Sequence, residues 1–251
     1  MAVIDLNCDL GESFGSYRIG MDDKVIPHIT SANVACGFHA GDPVIMKKTV
    51  ALCKQYGVGI GAHPGFPDLS GFGRRNMNIS CEEAECYVTY QVGALKAFCD
   101  GEGVSLRHVK PHGALYNMAG KDYKLAMAVC KGIQNVDKDL KILALSGSCM
   151  IQAAKDMGLC AVSEVFADRG YQPDGSLVPR TQPGAMVTDE DEMIHRVIRM
   201  AREGKVTAVD GTDIEISADS VCVHGDGEKA LAFVERICRE LKAAGVEIRR
   251  F

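Results

Sequence analysis

Four short apolar runs in this chain each end in a histidine that opens into a glycine-rich turn. They are NVACGFHAGDP around His39, VGIGAHPGFPD around His63, LRHVKPHGALYN around His112 and SVCVHGDG around His224. The first run, VIDLNCDLGE, ends the same way in Asp9. A polar residue at the exit of each apolar strand is the pattern of a parallel α/β protein, whose chemistry gathers at the carboxyl ends of the strands.

The segments between these runs support that reading. Strands are expected at 2–7, 28–35, 58–62, 106–110, 142–145, 161–166 and 221–224. Asp42 and Pro43 start a helix that Gly57 ends, because a side-chain cap followed by proline is a helix start. Ser80 and Glu83 form a capping box that opens a helix to about Asp100. Further helices are expected at 121–136, 149–157 and 188–204, and a last one behind Asp226. Residues 206–216 read as a small β-arm around Gly211. The stretch 166–184 has no helical period and is long enough for a binding role. About seven β/α units in 251 residues, with no linker, predict one barrel domain over residues 1–251.

The net charge of −5 is scattered, with no basic run for nucleic acid and no amphipathic basic stretch for a membrane. The N-terminal residues lack a basic region followed by a long apolar one, so no signal peptide is expected. The eleven cysteines include no CxxC pair and fall mostly at apolar positions. They read as buried thiols of a cytoplasmic protein. Cys8 and Cys36 lie within the motifs and can line a pocket.

The candidate site is Asp9, Glu12, His39, His63 and His112, with Asn7, Arg75, Lys110, Arg169 and His224 around the substrate. Asp5, Asp68 and Arg74 belong to the wider set. Asp42 and Asp226 read as helix caps, His28 and His108 as surface or satisfied core histidines, and His195 as a surface residue. Two chemistries fit. In one, Asp9, His39 and His63 bind a divalent metal that activates water or polarises a carbonyl. In the other, a carboxylate or histidine is the general base, and Lys110 or Arg75 stabilises an oxyanion. The ligands would come from separate strands, so local spacing does not separate the two. No GxGxxG follows the first strand and no GxxxxGK[ST] occurs, so a nucleotide fingerprint is absent.

Seven motifs in order carry a resemblance: DLNCDLGE at 5–12, NVACGFHAGDP at 33–43, GAHPGFPD at 61–68, GFGRR at 71–75, VKPHGALYN at 109–117, FADRGY at 166–171 and VCVHGD at 221–226. They resemble the LamB/YcsF lactam-utilisation family along essentially the whole chain. The resemblance implies a distorted seven-stranded TIM-like β/α barrel of the glycoside hydrolase/deacetylase kind. It implies the role of the A subunit in an ATP-dependent 5-oxoprolinase that acts with subunits B and C. That enzyme converts 5-oxo-L-proline, ATP and water to L-glutamate, ADP and phosphate. A metal-dependent carbohydrate or amide deacetylase is the alternative, though 6% aromatic residues and no Trp supply a sugar platform poorly. A purely interacting scaffold needs apolar and aromatic anchors rather than a polar cluster.

Overall fold

In the first strand, β1 (Ala2–Leu10), two residue sets alternate. Ile4, Leu6, Cys8 and Leu10 join the apolar core, while Asp5, Asn7 and Asp9 fall between them. Alternation sends the two sets to opposite faces of the sheet. The apolar set lies under the surrounding helices and the polar set lines the barrel interior. The computed structural model that shows this describes residues 2–223 and 228–251.

After the one-turn helix α1 (Asp22–Val25), strand β2 (Ser31–Ala35) lies parallel to β1. Helix α2 (Pro43–Tyr56) leads to β3 (Gly59–His63), and α3 (Cys81–Glu102) leads to β4 (Leu106–Val109). Helices α4 (Gly113–Ala119) and α5 (Tyr123–Gln134) precede β5 (Lys141–Leu145), and α6 (Cys149–Asp156) precedes β6 (Ala161–Phe166). Helix α7 (Glu190–Glu203) and the antiparallel hairpin β7 (Lys205–Thr207) and β8 (Asp213–Glu215) follow. Strand β9 (Ser220–Cys222) then pairs with both β6 and β1, closing a seven-stranded parallel barrel. Helix α8 (Glu228–Ala243) ends in β10 (Val246–Ile248), which pairs with Ala2, Val3 and Ile4 outside the closed ring.

Several boundaries differ from the sequence reading. β1 runs beyond residue 7, so Asp9 lies inside the strand rather than after it. The second strand starts at Ser31, because Ile26–His28 form a 3₁₀ turn in which Pro27 has no backbone donor. The helix expected at 121–136 is α5, capped by Asp122, and α4 precedes it as a separate element. The stretch 166–184 is tied down. Tyr171 is fully buried, and its hydroxyl accepts from the Phe166 amide at 2.9 Å.

The Asp42 and Ser80 caps are present as expected. Cys53, Cys99 and Cys130 are free thiols in the core. His224 and Asp226 lie outside the described residues. Among the described residues no helix is long and apolar enough to cross a membrane.

Candidate active site at the barrel mouth

The barrel interior is a hydrogen-bonded column rather than the branched apolar filling common in such barrels. At its floor Asp5 accepts from Thr30, Ser31 and Ser220 hydroxyls at 2.6, 2.7 and 2.5 Å. Asn7 donates to Ser220 Oγ at 2.7 Å and accepts from Asn33 at 2.9 Å. Asn33 also donates to Asp9 Oδ1 at 2.9 Å and, through its Oδ1, accepts from His108 Nε2 at 2.7 Å. The column rises to Lys110, whose Nζ lies 2.9 Å from Asp9 Oδ1, 2.7 Å from Glu164 Oε1 and 3.2 Å from Asn7 Oδ1. Tyr116 donates to the other Glu164 oxygen at 2.7 Å.

At the mouth the histidines meet. His63 ends β3, and His112 sits at the N-terminus of α4. Their ring nitrogens, Nε2 of His63 and Nδ1 of His112, are 2.9 Å apart. His39, from the loop after β2, stacks on His112 with ring centroids 3.7 Å apart and planes within 3°. Glu12 Oε1 lies 3.6 Å from His39 Nε2 and 3.9 Å from His112 Nδ1. Asp9 Oδ2 is 3.3 Å from His63 Nε2. Among the described residues, Glu12, His39, His63 and His112 are the buried group whose ligand atoms all fall within 4.8 Å and can hold a metal ion. Asp9 adjoins this group with its other oxygen already bonded to Lys110 and Asn33.

Two glycines make the arrangement possible. A side chain on Gly61 would place its Cβ 2.1 Å from the His108 ring. Gly73, at φ +61°, has no room either, since a Cβ there would lie 2.7 Å from His39 Cβ and 2.9 Å from His112 Cδ2. Phe72, beside it, holds a left-handed φ of 54°. Such a backbone is costly for a bulky residue and persists only where the surroundings fix it. It aims the Phe72 carbonyl at His112 Nε2, 2.8 Å away.

Burial disfavours charge on these groups, and neighbours decide which stay charged. Burial pushes Asp9 up, but His63 and Lys110 overcome it and hold the carboxyl well below its ordinary range. Burial pulls Lys110 down, yet Asp9 and Glu164 keep its ammonium well above the usual lysine value. Burial and the nearby His63 bring His112 down to about 3, and burial with the Lys110 charge does the same for His108. His39 is lowered strongly by burial and by His112. The mouth therefore presents an ionised carboxylate beside the neutral imidazoles of His39 and His112. Burial pushes the Cys36 thiol up to about 12, which leaves it a weak nucleophile.

The structure brings together Asn7, Asp9, Glu12, His39, His63, Lys110 and His112. It does not bring in Arg75, whose exposed side chain pairs with Asp68, nor Arg169. Arg169 is buried and donates to the carbonyls of Ala185 and Val178 at 3.1 and 2.7 Å, pinning the loop after β6. Arg74 packs over the Phe72 ring at 5.1 Å and bears on His39 and His112. Arg180 lies near Arg74, Asp168 and Asp9. Arg180 and Glu164 escape a reading of the sequence alone. Glu164 is detectable as the lone charge in the apolar strand AVSEVF, whereas Arg180 sits in an irregular loop with no local signal. His108 proves to be a satisfied core histidine, and His28 and His195 lie towards the surface.

Known proteins share this chain and its fold. It is 61% identical over 248 residues to the A subunit of 5-oxoprolinase from Clostridium beijerinckii, covering 99% of this chain and 97% of the relative. It is 54% identical to the Bacillus subtilis protein of the same name, covering 99% and 96%. The crystal structure of a lactam utilization protein from Thermus thermophilus superposes with a TM-score of 0.94 at 44% identity, covering 99% of this chain and 100% of that one. The model of the LamB/YcsF family matches residues 4–251, and the chain belongs to that family.

Proposed function

We propose that this chain carries out the ring-opening half of an ATP-coupled hydrolysis of 5-oxo-L-proline to L-glutamate. Subunits B and C supply the phosphoryl transfer. The observation that carries the reading is the ionised Asp9 beside the His39–His63–His112 cluster, at the mouth of a barrel whose relatives are named as the A subunit of 5-oxoprolinase.

A five-membered lactam is a stable amide, so its opening needs activation. Phosphoryl transfer from ATP to the lactam oxygen makes the ring carbon a better electrophile. Water then adds, the ring C–N bond breaks, and the nitrogen takes a proton to become the amine of glutamate. A second water releases phosphate. No phosphate-binding loop occurs in this sequence, which supports assigning the first step to the partners. Asp9 is the base. Its low pKa makes it a weak one, and an activated electrophile needs no stronger. Lys110 keeps Asp9 ionised, while Glu12, His39, His63 and His112 position the water. Arg74 and Arg180 offer positive charge to the substrate carboxylate and phosphoryl oxygens.

The test is glutamate release from 5-oxo-L-proline and ATP, with and without subunits B and C. Release is expected only with all three. ATP hydrolysis by this chain alone in the presence of 5-oxo-L-proline would overturn the division of labour. His63→Ala is expected to lower turnover by about 10²–10⁴-fold while leaving assembly with the partners intact.

A further inference from the structure

We propose that Glu12, His39, His63 and His112 form a binding site for one divalent transition-metal ion of the zinc class. Two backbone carbonyls fix the proton positions. His63 Nδ1 lies 2.7 Å from the Lys110 carbonyl, and His112 Nε2 lies 2.8 Å from the Phe72 carbonyl. A carbonyl oxygen only accepts, so each of these nitrogens carries the hydrogen. In the neutral form of each ring the other nitrogen bears a lone pair. Those two lone pairs, on His63 Nε2 and His112 Nδ1, face each other at 2.9 Å. Two acceptors in that position repel unless a proton or a metal ion lies between them, and of the two only a metal ion also serves His39 and Glu12.

His39 adds the second observation. It is fully buried, and neither ring nitrogen has a hydrogen-bond partner. A buried imidazole with no partner forfeits its hydrogen bonds to water without replacement. Metal coordination supplies the interaction missing at one of the two nitrogens. The Nε2 of His39 lies 3.6 Å from Glu12 Oε1, and Glu12 Oε1 lies 3.9 Å from His112 Nδ1. Neighbouring ligands on a four-coordinate ion with bonds near ~2.1 Å are about 3.4 Å apart, close to these spacings. Backbone carbonyls that fix the rear nitrogen of a ligating histidine are the usual outer support of such sites. Three imidazoles and a carboxylate favour zinc, cobalt or iron over magnesium or calcium.

The four residues come from separate segments, after β1, after β2, at the end of β3 and after β4. The site rests on this geometry and stands apart from the lactam reading, which it deepens by naming what positions the water.

The test is metal uptake by the full chain. Protein stripped with a chelator is titrated with Zn²⁺ or Co²⁺ by calorimetry, and bound metal is counted by elemental analysis after dialysis. One equivalent per chain is expected, with Co²⁺ giving the visible absorption of a low-coordinate site. His39→Ala and Glu12→Gln should each weaken binding by at least about 10–100-fold. His195→Ala, which removes an exposed helix histidine, should leave it unchanged. Circular dichroism of each variant separates lost ligands from lost folding, and if His39→Ala unfolds, Glu12→Gln decides. No uptake at micromolar metal, or uptake that survives both ligand variants, overturns the site. Uptake without glutamate formation beside subunits B and C leaves the metal standing and removes the lactam reading. Turnover by a protein that takes up no metal does the reverse.

Discussion

Among single residues, Lys110 organises the mouth. It is buried and bonded to two carboxylates, Asp9 and Glu164. Lys110→Met removes the cation and leaves the buried Glu164 and the partly buried Asp9 without it. Losing one partner of a buried ion pair costs about 3–5 kcal/mol. Chemical denaturation should show a loss of that order, and a midpoint within experimental error of the parent would sink the idea. Gly73→Ala tests the histidine stack from the other side. A Cβ there meets His39 and His112 at 2.7 and 2.9 Å. Turnover is expected to fall at least about tenfold more than the stability change accounts for, since a small misplacement of reacting groups is costly. The histidines of the mouth are legible in the sequence because each follows an apolar run into glycines. Glu12 and Lys110 are legible through the motifs around them. That Arg75 and Arg169 serve the loops is not, because an arginine's long side chain can reach either way from the same backbone position.

Among the elements, those long enough to show a period or a cap are legible in the sequence; of the short ones, the β7–β8 hairpin and β9 are foreseen, while α4 and β10 are not. The capping box at Ser80 and the cap at Asp42 mark α3 and α2 correctly. The Asp42 carboxylate also accepts from the Gly15 amide at 2.8 Å, so it fastens the loop after β1 to the start of α2. Asp42→Ala should cost about 1 kcal/mol by thermal melting, the usual worth of a cap. A larger loss, with altered activity, would mean that this fastening also positions Glu12. Helix α4 has seven residues and β10 three, and neither is long enough to display a period. Both are defined by tertiary partners, Gly73 for the first turn of α4 and β1 for β10. β1 itself hides its length, because its inward polar residues look like the end of a strand.

For the protein taken together, the buried histidines tie stability to pH. His108 titrates at about 3 in the folded chain and near 6.5 when exposed, because burial disfavours its charged form. Between those values the unfolded chain binds the extra proton. Its contribution is therefore intact above about pH 6.5 and declines as pH falls towards 3, by up to ~1.4 kcal/mol per unit for this one residue. His108→Gln keeps an amide donor for Asn33 and removes the titration. Unfolding measured from about pH 8 to about pH 4 should show a shallower acid decline for the variant; parallel curves would contradict this account.

The polar filling of the barrel has one more consequence. Asp5, Asn7, Asn33, Ser220 and His108 are bonded to one another as closely as the mouth residues are. Exchanging any one of them strands a neighbour. A saturating mutational scan will thus record the barrel floor as being as intolerant as its rim. Paired exchanges across the column, rather than single ones, will separate the positions that do chemistry from those that keep the column whole.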